Sequence, residues 1–334
     1  MHFEWVLGFV FLIVKLSIVL ILLLTLAAYL VWVERKLLAR MQARYGPNRA
    51  GHYGLLQPMV DVIKLITKED TVPQGASKAI FLLAPGVVGL MTLLIFAVVP
   101  FGSGVRLWGR SIPLVIADLN IGLLFILALS SLSVYGIALG GWASNSKYSL
   151  LGGIRGAAQM ISYEIPLALS LVPVVMLARS FSLVEITRAQ SGWPFIFRQP
   201  FSFVSFIIFL MAAVAEIKRI PFDLPEAENE LGAGYHTEYS GMRFGLFFLG
   251  EYITMVILGS LIAVFFLGGW HGPLLPSFLW FLIKVGFVVF ALIWFRATFP
   301  RIRYDQLMNI GWKVLIPAAL LNIIATGAFL LAKA

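Results

Sequence analysis

Cysteine is absent from all 334 residues. That excludes a disulfide framework, a thiolate metal site and an iron–sulfur cluster held by the chain's own thiolates. Charge is also scarce: 12 % of residues are charged against 60 % hydrophobic, and the mean hydropathy is +0.94. A water-soluble domain cannot hide that much apolar surface, so the composition implies a polytopic membrane protein. Histidine is limited to His2, His52, His236 and His271. All four fall in loops or at an end, and a b-type haem needs imidazoles inside spans. No Gly-rich nucleotide loop follows a strand. Any electrons the chain handles must therefore arrive from a partner or on a diffusible ligand. Tandem repeats, low-complexity tracts and long linkers are missing too, which suggests one membrane domain over 1–334. The net charge of +9 does not indicate nucleic acid, because excess Lys and Arg in a membrane protein mark its cytoplasmic side.

What the chain does have is long apolar runs. A hydrocarbon core about 30 Å thick needs roughly 20 apolar helical residues. Eight stretches qualify, at about 7–33, 79–100, 115–139, 157–178, 201–217, 243–267, 278–297 and 311–332. The expected fold is all-α, since an open strand or loop in lipid would leave backbone groups unpaired. The first run has no basic segment before it and ends at "WVERK" rather than at a small-residue cleavage site, so it reads as a retained span. Lys and Arg number 17 in and beside the loops at 34–78, 140–156, 218–242 and 298–310, against 6 on the opposite side. By the positive-inside rule those four loops are cytoplasmic and both termini lie outside. Lys15 and Lys284 lie inside spans within about two turns of the outer end, where they can snorkel to the interface.

The first cytoplasmic loop holds turn chemistry, "YGPNRAG", and then an amphipathic pattern. Leu55, Met59, Val62, Ile63 and Ile66 share one face; Gln57, Asp61, Lys64 and Lys68 share the other. That helix is too short to span and should lie in the interface plane; a helix that merely anchors the loop fits the pattern equally well.

The scarce acids are concentrated. Glu216, Asp223, Glu226, Glu228 and Glu230 fall within fifteen positions, and Glu238 follows. Glu164 and Glu251 sit inside spans four and six, and Glu216 ends span five. A carboxylate in hydrocarbon is costly, so such groups face protein-lined cavities and often keep their protons. Three of them beside an acidic loop suggest a proton pathway; structural ion pairs or interhelical hydrogen bonds are the alternative. Pro221 and Pro225 break any continuous helix through "RIPFDLPEAE". Pro225 can open a short helix capped by Asp223, with Glu226 and Glu230 on one face. Lys218, Arg219 and Arg243 are near in sequence, and Arg35, Lys36, Arg40, Arg44 and Arg49 lie in the other large loop. The two loops are expected to meet as a charged vestibule.

Together "ERKLLARMQARYGPNRAGHYGLLQP", "GWASNSKYSLLGGIRGAAQMISYE", "PFDLPEAENELGAGYHTEYSGMRF", "GEY" and "RATFPRIRYDQLM" resemble the NADH dehydrogenase subunit 1 family. Its bacterial members are the H subunits of NADH:quinone oxidoreductase, respiratory complex I. The resemblance covers nearly the whole chain. It implies eight spans in a bacterial inner membrane and a place at the heel of the membrane arm. The implied partners are antiporter-like and small membrane-arm subunits and a peripheral arm that carries the FMN and the iron–sulfur clusters. It implies a channel for ubiquinone or menaquinone lined by residues matching Glu34, Arg35 and Asp61. A coupling funnel would be formed by Glu164, Glu216, Arg219, Asp223, Glu226, Glu228, Glu230 and Glu251. Some members carry a Glu in span three where this chain has Ser131. A membrane subunit of a hydrogenase or formate hydrogenlyase is the nearest rival, and a stand-alone proton-coupled transporter the next.

Overall fold

The computed structural model describes residues 2–107, 110–226 and 228–333. Its regular structure is almost entirely helical, in a polytopic bundle. Helix α1 (His2–Met41) is followed by α2 (Gln57–Thr67) and α3 (Lys78–Ile95). A hairpin, β1 (Gly102–Leu107) and β2 (Arg110–Leu114), leads to α4 (Gly122–Ala143) and α5 (Lys147–Ala178). Two short helices, α6 (Leu183–Arg188) and α7 (Phe195–Arg198), precede α8 (Pro200–Glu216). Among the described residues the acidic loop contains α9 (Glu228–Leu231) and a 3-10 turn at Gly234–His236. Then come α10 (Gly241–Phe265), α11 (Ser277–Thr298), α12 (Tyr304–Asn309), a π-helical turn at Ile310–Leu315, and α13 (Ile316–Lys333).

Among the described residues seven helices are long and apolar enough to cross a membrane, and α8 is a shorter apolar helix. Its 17 residues span about 25 Å at 1.5 Å per residue. Phe209, Ala212, Ala213 and Ala215 on α8 have no exposed surface, so much of it meets other helices rather than lipid. Phe209 packs against Phe265 and Phe266 at the end of α10, in the centre of the main core.

Several boundaries differ from expectation. Helix α1 continues eight residues past 33, so Glu34 and Arg35 ride on a helix and not in a loop. Nothing stops it there, because "VERKLLARM" contains good helix formers and no Gly or Pro. Helix α5 begins ten residues before 157, and α4 is displaced toward the charged end of the bundle. The segment before α4 forms the antiparallel hairpin, a departure from all-helical structure. It lies at the end of the bundle where its polar edge need not face hydrocarbon.

Two glycine sites permit close approach. A Cβ on Gly141 of α4 would sit 2.9 Å from the Gly153 Cα of α5. Gly234 has φ +59°, and a Cβ there would collide with the Pro225 carbonyl; this contact folds the acidic loop back on itself. Near the hairpin, Lys15 Nζ donates to the carbonyls of Pro113 and Val115. Lys284 Nζ donates to those of Gly269 (3.0 Å) and His271 (2.6 Å). Both ammonium groups thus pin irregular backbone at that end.

Candidate functional site

Three features meet at the other end of the bundle, where α1, α2, α10 and the loop after α8 come together. The first is an apolar cavity of about 500 Å³ between α1, α2 and α10, walled by residues such as Ala28, Val31, Leu65 and Leu249. The sequence puts small side chains, Ala27 and Ala28 on α1 and Gly245 on α10, along this wall, so the helices stand apart without filling the gap. At its rim Arg35 meets Asp61 at 2.8 Å, and Gln57 Nε2 holds the other Asp61 oxygen at 2.8 Å. The rim pair is half-exposed, which limits its worth to about 1 kcal/mol or less.

The second feature is a buried charge cluster behind that cavity. Arg219 donates from Nη1 to Glu34 at 2.7 Å and from Nε to Glu251 at 2.6 Å. Arg296 donates to the other Glu34 oxygen. Glu34 is 2 % exposed and Arg219 4 %. Two guanidiniums face two carboxylates, so the cluster is neutral overall, as burial requires. Arg219 also lies over the Tyr252 ring at 4.6 Å, and Tyr252 lines the apolar cavity. The guanidinium Nη2 is buried without a partner among the described residues. Burial alone would lower the Arg219 pKa, but Glu251 and Glu34 outweigh it and push it up.

The third feature runs inward from the cluster. Glu251, Lys218, Glu216 and Ser130 line one small cavity of about 50 Å³, room for a few waters. Glu216 is 7 % exposed, and its Oε2 has no hydrogen-bond partner among the described residues. Ser130 reaches Glu164 at 3.4 Å, and Ser131 also donates to Glu164. Helix α4 therefore offers two hydroxyls to this acid.

The rest of the loop is an array of pairs. Lys218 Nζ donates to the Tyr235 hydroxyl at 3.1 Å, which donates to Glu226 at 3.0 Å. Burial first, then the negative charge of Glu226, push the Tyr235 pKa well up. Burial would raise Glu226, yet the His236 ring 3.6 Å away and the Lys218 charge hold it down at about 2. Asp223 pairs with Arg301 at 2.8 Å, and Glu230 with Arg155 at 2.7 Å. Asp223 caps no helix, because α9 starts only at Glu228. Glu226 and Glu230 do not share a helical face either. Each is drawn to its own cation or donor, which removes the like-charge repulsion a helix would impose. The side chain of Glu228 lies outside the described residues. The two large loops touch: Arg243 meets Asp70 at 3.0 Å, and Ser240 Oγ donates to the Glu69 carbonyl at 3.0 Å. Gln159 of α5 anchors the acidic loop by donating to the carbonyls of Ala215 (2.7 Å) and Phe222 (2.8 Å).

Arg296, Arg301 and Arg155 fall within the motifs that carry the resemblance but have no individual role assigned from the sequence. Tyr235 and Tyr252 lie within quoted motifs without a role of their own there, and Ser130 gives no sequence signal. For Arg296 and Arg301 a signal exists: "RATFPRIR" puts cations at the end of a span, level with the acidic loop.

Burial and the neighbouring Glu226 push Asp223 up to about 6, although Arg301 pulls the other way. A carboxyl with a raised folded-state pKa contributes stability that is fully present below the unfolded value and lost as pH rises through about 6. Asp223→Asn should therefore flatten the fall in thermal midpoint of the solubilised protein between about pH 4 and 7. Parallel curves for the two proteins across that window would refute the assignment.

The match to known proteins covers the same residues. The family model described as NADH dehydrogenase matches residues 14–327. The chain is 69 % identical over 328 residues to an NADH-quinone oxidoreductase H subunit of Syntrophobacter fumaroxidans, covering 98 % of each. It is 60 % identical over 328 residues to the corresponding protein of Syntrophotalea carbinolica, again covering 98 % of each. It is 62 % identical over 313 residues to one from Geobacter sulfurreducens, covering 94 % of each. With a polytopic helical bundle, a buried charge cluster and such matches from end to end, the chain belongs to the NADH dehydrogenase family of membrane subunits.

Proposed function

We propose that the chain is the quinone-channel subunit of a proton-translocating NADH:quinone oxidoreductase. In this reading it lies in a bacterial inner membrane with both termini outside and the charged end at the cytoplasmic face. One observation carries the proposal: Tyr252 joins an apolar cavity at the rim to a buried, charge-balanced cluster. An isoprenoid tail needs an apolar groove, and a quinone headgroup needs polar partners. The cavity between α1, α2 and α10 suits the tail, with Arg35 and Asp61 at its mouth.

Electrons reach the headgroup from an iron–sulfur cluster on a peripheral-arm partner, since this chain has no Cys to hold one; the FMN belongs to that arm too. Two electrons and two protons convert the quinone to quinol. The anionic headgroup formed on the way perturbs its charged neighbours. At 4 Å a unit charge is worth about 4 kcal/mol at an effective dielectric of 20, or roughly three pKa units. That suffices to change the protonation of a poised carboxyl. The disturbance would pass through Glu34, Arg219 and Glu251 into the small cavity, then by Glu216 and Ser130 to Glu164, toward the antiporter-like subunits. Asp223, Glu226, Glu228 and Glu230 set the potential at the entrance of this route.

Gly245→Leu narrows the apolar cavity, since even a Cβ there comes within 3.1 Å of Leu65. The variant should raise KM for long-tailed quinones severalfold and leave a short-tailed quinone unaffected. Equal KM changes for both would argue against this wall as the tail groove. Hydrogen evolution by the purified assembly, in place of NADH oxidation by quinone, would sink the proposal altogether.

A further inference from the structure

The hairpin end of the molecule is poor in cations, with 6 Lys and Arg in its loops and terminus plus Lys15 and Lys284 within helices. Two of these eight, Lys15 and Arg188, converge on one cavity of about 410 Å³. Its walls include Ser103, Trp270 and His271. Lys284 braces one wall through the His271 carbonyl, and His271 Nε2 meets the Thr187 carbonyl at 3.1 Å. The one carboxylate at the rim, Asp118, accepts from Ser182 Oγ at 3.0 Å. Lys15 gives two of its three protons to the hairpin carbonyls, which leaves one for a ligand. Arg188 is exposed and makes no side-chain hydrogen bond or ion pair among the described residues.

Depth decides what the ligand is. Lys15 and Glu34 are nineteen residues apart on α1, about 28 Å along a helix axis, close to the thickness of a hydrocarbon core. Glu34 marks the charged rim, so Lys15 lies at the opposite headgroup level. The α1 side chains beside it, Leu12, Ile13 and Leu16, are each more than 40 % exposed, and the cavity therefore opens beside a lipid-facing helix. Trp270 on its wall is the residue type that favours this layer. We propose that this cavity binds the phosphodiester headgroup of an anionic phospholipid, with Arg188 and Lys15 as its cationic contacts. The phosphate supplies the negative charge that two cations facing one engaged carboxylate leave unmatched, and the acyl chains lie along α1. The site is remote from the quinone groove and does not depend on the function proposed above.

A phosphatidylglycerol analogue with a photoreactive group beside its phosphate tests this in the intact assembly, embedded in zwitterionic nanodiscs. Labelling should map to residues 100–118, 184–188 and 270–271, and unlabelled phosphatidylglycerol should suppress it. Arg188→Gln should reduce it at least threefold without changing NADH oxidation, while millimolar inorganic phosphate has no effect. The proposal is overturned by labelling elsewhere, by equal labelling of the variant, or by competition from inorganic phosphate, which would make this a free-anion site. A protein segment of a neighbouring subunit crosslinked into the cavity would overturn it as well.

Discussion

Arg219→Met is expected to cost the chain its place in the membrane assembly. Arg219 is the only hydrogen-bonded cation on Glu251 among the described residues, and one of two on Glu34. Removing one partner of a buried pair costs about 3–5 kcal/mol, because the remaining charge stays buried without compensation. Against a typical net stability of about 5–15 kcal/mol, that is a large fraction. Assembled protein, measured by native gel and immunoblot of membranes, should drop at least tenfold. Arg219→Lys should rescue little, since a single ammonium lacks the planar fork that reaches two carboxylates at once. The double variant Arg219→Met with Glu251→Gln should recover part of the loss by removing the stranded charge. Normal accumulation of Arg219→Met would mean that the cluster is hydrated and contributes little to the fold.

Glu216→Gln should behave in the opposite way: it assembles and fails in function. Among the described residues its Oε2 has no partner and no ion pair holds the carboxyl, so a neutral amide of the same shape leaves no unpaired charge. The amide cannot release a proton to the cavity it shares with Glu251 and Ser130. Loss of a positioned proton-transfer group commonly costs about 10²–10⁴-fold in rate, and we expect coupled quinone reductase activity to fall at least tenfold. Glu216→Asp, which keeps a titratable group, should retain more of it. Unchanged activity and unchanged proton pumping in Glu216→Gln would remove this residue from the route.

Membership of a multi-pass helical class is legible in composition and run length, because hydrocarbon leaves backbone polar groups no partners but their own helix. Run length says less about ends. The first apolar run stops at 33, where charge begins, yet helix α1 runs to Met41, since charge placed at the membrane rim does not interrupt backbone hydrogen bonding. The acidic loop departs from its local signals for a related reason. Pro225 and Asp223 form an acceptable helix start, but Arg301 claims Asp223 and Tyr235 claims Glu226. Those partners lie 78 and 9 residues away. A charge-assisted contact in a poorly hydrated loop outweighs a capping bond worth about 1 kcal/mol.

The chain's own order of residues determined that it lives in a membrane, that its carboxylates are few and gathered, and that intramembrane acids need company. Which company each acid keeps was decided only by the tertiary structure. Glu34 and Arg219 are 185 positions apart, and Glu34 and Arg296 are 262 apart. No periodicity reports such distances. Coulomb attraction selects them once packed helices have excluded the water that would otherwise screen every charge alike.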